Sequence, residues 1–187
     1  MGMFILGFIG IYYLFDKSAI LGFLGLILAI FLPFDLLNYF SKGKNRFSKL
    51  FFRLYPKKSE EKNRLLSDAS TFFISTILLI LIFEREIVLF TLILFALCDA
   101  SEGVFGKLIS SKTLPWNKRK NFAGTLGGFI IAMISGYLAV TYLSIDIPML
   151  LILPASFICA LAGTVKKWDN LFMPWLTAIV TWFLIMI

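Results

Sequence analysis

The stretch Gly124–Leu143, GTLGGFIIAMISGYLAVTYL, runs for 20 residues without a charged side chain. As an α-helix it would be about 30 Å long, the thickness of a bilayer's hydrocarbon core. Within it small residues recur at every fourth position: Gly124, Gly128, Ala132 and Gly136. That spacing lines one helix face and lets a second backbone approach closely. Ordinary helix packing is the favoured reading of the stripe.

Working outward, six further apolar segments can be read: Met3–Phe15, Ala19–Phe40, Ser67–Phe83, Ile87–Leu97, Ile147–Val165 and Leu171–Ile187. The chain therefore reads as an all-α, polytopic membrane bundle of about seven transmembrane helices, one domain over residues 1–187. Met3–Phe15 and Ile87–Leu97 are short for a span of about 20 residues, so six is the alternative count. The segment beginning at Ile87 can be extended past Asp99 if its polar face meets a protein-lined cavity. Met3–Phe15 lacks a basic leader and a small-residue cleavage site, and is read as a mature helix.

Composition agrees with a membrane protein. Of 187 residues 59% are hydrophobic, and the mean hydropathy is +0.89, against about 45–50% apolar in soluble domains. Eighteen Lys and Arg stand against eleven Asp and Glu. Sixteen of those cations fall in alternate connections, in 41–66, in 99–123 and at Lys166 and Lys167; Lys17 and Arg85 are the exceptions. The positive-inside rule then makes those connections and the N-terminus cytoplasmic, and the C-terminus external. A basic membrane protein points to the bilayer's anionic headgroups or an anionic substrate before nucleic acid, for which no motif is present. No His is available as general base or metal ligand, and two Cys make neither a disulfide framework nor a zinc site.

The connection 41–66 holds nine cations, with Phe47, Leu50, Phe51 and Leu54 at helical spacing. It reads as an amphipathic surface helix on anionic lipid with no direct part in chemistry. Three carboxylates fall at cytoplasmic helix ends: Asp99, Glu102 and Asp169. Asp99 and Glu102 share a helix face. With Asp169 arriving from another helix, they form a candidate site for a divalent cation such as Mg2+, which takes a few carboxylates plus phosphate oxygens. Pairing with nearby Lys and Arg is the alternative. Lys118, Arg119 and Lys120 stand just before the helix that opens at Gly124 and Thr125. Free N–H groups and the positive dipole end there would make a polyphosphate cradle. Neither a Walker A sequence nor the protein-kinase signature set is present.

Three blocks, in order, resemble the membrane family of CTP-dependent lipid kinases: dolichol kinase, phytol kinase and the yeast-type diacylglycerol kinase. Asp99-Ala100-Ser101-Glu102-Gly103-Val104-Phe105-Gly106-Lys107 is similar to the family's Asp-Ala…Gly block, Lys120-Asn121-Phe122-Ala123-Gly124-Thr125 to its Lys-Ser-x-x-Gly-Ser/Thr block, and Asp169-Asn170-Leu171-Phe172-Met173-Pro174 to its Asp-Asn…Pro block. Cys98, Glu102, Ser110 and Asn121 depart from the usual pattern. The resemblance spans residues 35–187. It implies transfer of the γ-phosphate of CTP to a lipid alcohol (a polyprenol such as dolichol, another isoprenoid alcohol, or diacylglycerol) in the connection 99–123. Asp99, Lys120 and Asp169 would be catalytic. Asp99, Glu102 and Asp169 would hold Mg2+. Gly106, Lys107, Lys118, Arg119, Lys120, Gly124, Thr125 and Asn170 would bind the nucleotide triphosphate. Two rivals remain: a CTP-dependent cytidylyltransferase making a CDP-lipid, and a non-enzymatic transporter or assembly subunit, which would need mid-helix polar residues along a pathway.

Overall fold

A computed structural model describes Gly7, Ile9, Gly10, Tyr12, and residues 14–41, 65–165 and 169–187. The described residues are helical, with one isolated bridge between Thr113 and Asn121. Six α-helices follow in order: α1 (Lys17–Phe40), α2 (Asp68–Ile82), α3 (Arg85–Leu108), α4 (Phe122–Tyr142), α5 (Ile152–Gly163), preceded by a 3-10 turn over Met149–Leu151, and α6 (Asp169–Met186). The expected count of seven is thus six among the described residues, because most of Met3–Phe15 lies outside them. The proposed surface helix is also outside them, since residues 42–64 are not described.

Helices α1, α3, α4 and α6 are long and apolar enough to cross a membrane. Helices α2 and α5 are shorter apolar helices. The outward surface is apolar: Leu126, Ile130, Ile134 and Leu138 form an exposed ridge on α4, and Ile179, Trp182 and Phe183 one on α6. Ridges of that kind suit hydrocarbon, not water. Inside, α3 is the central element and packs on α4, α5, α6 and, more lightly, α2. Phe90, Leu92, Leu94, Phe95 and Cys98 of α3 are fully buried.

The helix α3 does not stop where its apolar run ends. It continues through Asp99 to Leu108, so residues 99–108, expected in a cytoplasmic connection, are helical. No proline interrupts them, and positions 99, 102, 103, 106 and 107, three charged residues and two glycines, share one face that looks into a cavity. The connection to α4 shrinks to 109–121.

The small-residue stripe of α4 is the face on which α3 lies. A Cβ at Gly124 would stand 2.8 Å from the Glu102 carbonyl oxygen and 3.1 Å from the Gly106 Cα. One at Gly128 would stand 2.5 Å from the Glu102 Cγ, and one at Gly136 would touch Ile152, Leu94 and Phe90. Close packing is therefore what the stripe does, as its spacing suggests.

Two buried polar ties fix the remaining helices. Asp35, within the apolar α1, accepts from the Ser67 N–H and hydroxyl, both at 2.8 Å. Ser67 in turn caps α2, its hydroxyl accepting from the Ser70 N–H. Asn170 donates to the Asp68 carbonyl at 3.1 Å and joins α6 to the start of α2. The interior also carries buried hydroxyls on apolar helices. Thr71, Ser135, Thr177 and Thr181 return theirs to carbonyls of their own helices, the usual resolution in apolar surroundings.

Candidate functional site

At one end of the bundle a cavity of about 350 Å³ is lined by Asp99, Glu102, Gly103, Gly106 and Lys107 of α3, by Arg119, Lys120 and Asn121 of the connection, by Gly124 and Thr125 of α4, and by Asp169 of α6. Three stretches far apart in the chain converge there. The α3 residues reach it because positions 99, 103 and 107, and 102 and 106, recur at one helical turn. Asp169 reaches it as the first residue of α6, where its Oδ1 accepts from the Asn170 N–H at 3.0 Å and the helix dipole favours a carboxylate.

The connection is shaped by its own hydrogen bonds. The Leu114 N–H donates to the Lys120 carbonyl at 2.9 Å and the Lys120 N–H to the Asn117 carbonyl at 3.0 Å, closing a tight loop. Asn117 and Trp116 then pin that loop to the end of α5: the Asn117 amide donates to the Thr164 carbonyl at 2.9 Å, and the Trp116 indole to the Thr164 hydroxyl at 3.0 Å. The loop thereby presents Lys120 to α3.

Lys120 and Glu102 form the central ion pair, with Nζ 2.5 Å from Oε2. The Glu102 carboxyl is buried, and Oε1 lies 3.9 Å from the Cys98 thiol. Two glycines leave room for it: Gly128, and Gly163 of α5, where a Cβ would stand 2.7 Å from Oε1 and 2.9 Å from Oε2. Burial pulls Lys120 toward deprotonation. The charge of Glu102, its hydrogen bond, and the charges of Asp99 and Asp169 outweigh that pull, so the ammonium titrates above the usual lysine range.

The expected N–H cradle is absent. At the start of α4 the Phe122 N–H goes to the Lys112 carbonyl, the Ala123 N–H to the Ser111 hydroxyl, the Gly124 N–H to the Asn121 side chain and the Thr125 N–H to the Asn121 carbonyl. Capping uses the donors that an anion would need. An anion in the cavity would meet Lys107, Arg119 and Lys120 side chains and the dipole instead. Asn121 stands where the resembling family has Ser, yet it caps α4 as Ser would and also donates to the Gly106 carbonyl at 2.8 Å.

Asp99, Glu102, Asp169, Lys107, Arg119, Lys120, Gly106, Gly124 and Thr125 thus share one cavity, and two predicted residues do not line it. Lys118 is exposed on the loop, and Asn170 is buried against α2. The three carboxylates line the cavity without closing into a ligand cluster: among the described residues no three His, Cys, Asp or Glu side chains group closely enough to hold a metal. Glu102 is turned to Lys120. Asp99 and Asp169 line the same cavity.

Sequence reasoning missed Asp35, Gly163 and Asn121 as positioning residues. Asp35 carried a signal, as an ionisable residue inside an apolar segment; Gly163 carried none. No protein-family model, no curated protein and no solved structure matches this chain.

Proposed function

We propose that the chain is a multi-pass membrane lipid kinase that transfers the γ-phosphate of CTP to a lipid alcohol at the cytoplasmic interface. The observation that carries this reading is the convergence of residues 99–107, 119–125 and 169 on one charged cavity at an end of an apolar bundle. Phosphoryl transfer needs positioning and charge stabilisation more than covalent help from the protein, and the cavity offers both. Lys107, Arg119 and Lys120 supply positive charge for a triphosphate. Asp99 and Asp169 would hold a magnesium ion that neutralises charge on the transferring group.

The lipid hydroxyl oxygen attacks the γ-phosphorus, and the bond from that phosphorus to the β–γ bridging oxygen breaks. CDP leaves, and the hydroxyl proton passes to one of the two carboxylates. Glu102 does not touch substrate in this scheme; its buried carboxylate holds the Lys120 ammonium at the cavity wall. The preference for CTP rests on the sequence resemblance. The cytoplasmic side rests on the cation distribution.

Purified protein given γ-labelled CTP or ATP, Mg2+ and a panel of lipid alcohols tests the proposal. Labelled phospholipid with CDP as co-product supports it. With the matching lipid phosphates added as a second panel, pyrophosphate with a CDP-lipid establishes the cytidylyltransferase instead, and no turnover with either panel refutes both. Lys120→Ala should raise the CTP concentration required; unchanged CTP dependence would remove that lysine from the phosphate site.

A further inference from the structure

A second cavity, about 300 Å³ and almost wholly apolar, lies between α4 and α5 beside the charged one. Thr125 lines both. Resting on the kinase reading, we infer that this groove holds a single hydrocarbon chain of the lipid alcohol, with the hydroxyl delivered at Thr125.

The geometry suits an amphipathic molecule and little else. The groove's lining on α4 runs from Phe122 to Phe129, and on α5 from Thr164 back to Phe157. Seven helical residues span about 10 Å, so the groove leads from the cavity mouth into the depth of the bundle's apolar belt. Phe129 and Phe157 meet edge-to-face at 6.1 Å at its far end. Its outer wall is open: Leu126 is 59% exposed and Phe157 51%, on helices whose outward surface suits hydrocarbon. A chain can therefore slide in sideways from the bilayer without crossing a polar barrier. At the near end Trp116 holds the loop to Thr164, placing an indole where amphipathic rings favour the membrane boundary. The polar end of such a ligand would meet cations and carboxylates at Thr125, while its tail meets only carbon.

A diazirine-bearing long-chain alcohol, photolysed with the full chain in phosphatidylcholine vesicles, tests the inference by peptide mapping of the label. Label on the Phe129 and Phe157 peptides, competed by excess polyprenol but not by added phospholipid, is the expected result. Label that phospholipid displaces equally well marks ordinary bilayer lipid and overturns the inference, as does label confined to other helices. Competition by diacylglycerol as strong as by polyprenol would overturn the single-chain assignment. Ala160→Phe, which fills the groove floor, should lower groove labelling about tenfold, equivalent to about 1.4 kcal/mol, and leave the CTP requirement unaltered. If that variant fails to insert, the competition result in the unaltered chain still decides. Groove labelling without phosphotransfer would sink the kinase reading alone; phosphotransfer without groove labelling would sink this inference alone.

Discussion

Gly163→Ala is the sharpest probe of how the charged cavity is built, because it changes no charge and no cavity-lining residue. The added Cβ would stand 2.7 Å from Glu102 Oε1, 2.9 Å from Oε2 and 3.0 Å from the Met173 Cε. The carboxylate cannot retreat toward α4, since its Cγ already lies against Gly128. Overpacking of this kind costs about 1–3 kcal/mol. Disturbing the charge-assisted bond to Lys120 adds a share of its worth of about 1.5–3 kcal/mol. Alanine's better helix propensity returns at most about 1 kcal/mol. The net loss is about 2–3 kcal/mol, which for a chain of 187 residues lowers the melting midpoint by about 5–10 °C. Thermal unfolding in detergent, followed by intrinsic fluorescence, measures it. Made in a Glu102→Ala background, where the carboxylate is gone, the same substitution should cost almost nothing, leaving a coupling of about 2 kcal/mol. Equal shifts in both backgrounds, or none in either, would refute the placement of Glu102 between α3, α4 and α5.

The other predictions are simpler. Asp99→Asn should abolish phosphotransfer to every lipid alcohol while the protein still inserts and melts normally; retained turnover removes Asp99 from the site. Asn121→Ala removes the α4 cap and the bond to Gly106, and should lower stability by about 1–2 kcal/mol; a melting midpoint like the parent's would show that the cap contributes nothing. For Lys120 the folded state binds its proton more tightly than the unfolded chain. Its stabilisation is therefore complete below the unfolded lysine value of about 10.4 and is lost as pH rises through the higher folded value. The melting difference between parent and Lys120→Met should be undiminished up to about pH 10 and shrink above it; shrinkage with rising pH well below that point would contradict the ion pair.

Much of the architecture was legible because membrane helices announce themselves locally. An uncharged run of about 20 residues has to satisfy its backbone within itself, so Gly124–Leu143 could be read as a helix without reference to any neighbour, and α4 covers Phe122–Tyr142. The face shared by Asp99 and Glu102 and the packing stripe of α4 follow from helical periodicity in the same way. What a residue touches across the bundle is different, because it depends on contacts between segments far apart in the chain. Glu102 stands three residues from Asp99, and by sequence alone it is a candidate metal ligand. Only the packing of α3 against Gly128 and Gly163, with the loop folded back by Asn117, turned it to Lys120. The α4 N-terminus looked open to anions, yet Ser111, Lys112 and Asn121 occupy its donors. Asn170 stood in a motif with Asp169 but faces α2. The chain's chemistry of burial thus determined the helices and one polar face of α3. Tertiary packing decided that three carboxylates line one cavity, which of them is held by a lysine, and that an apolar groove meets the charged cavity at Thr125, because partner choice in a close-packed interior is set by where helices leave space.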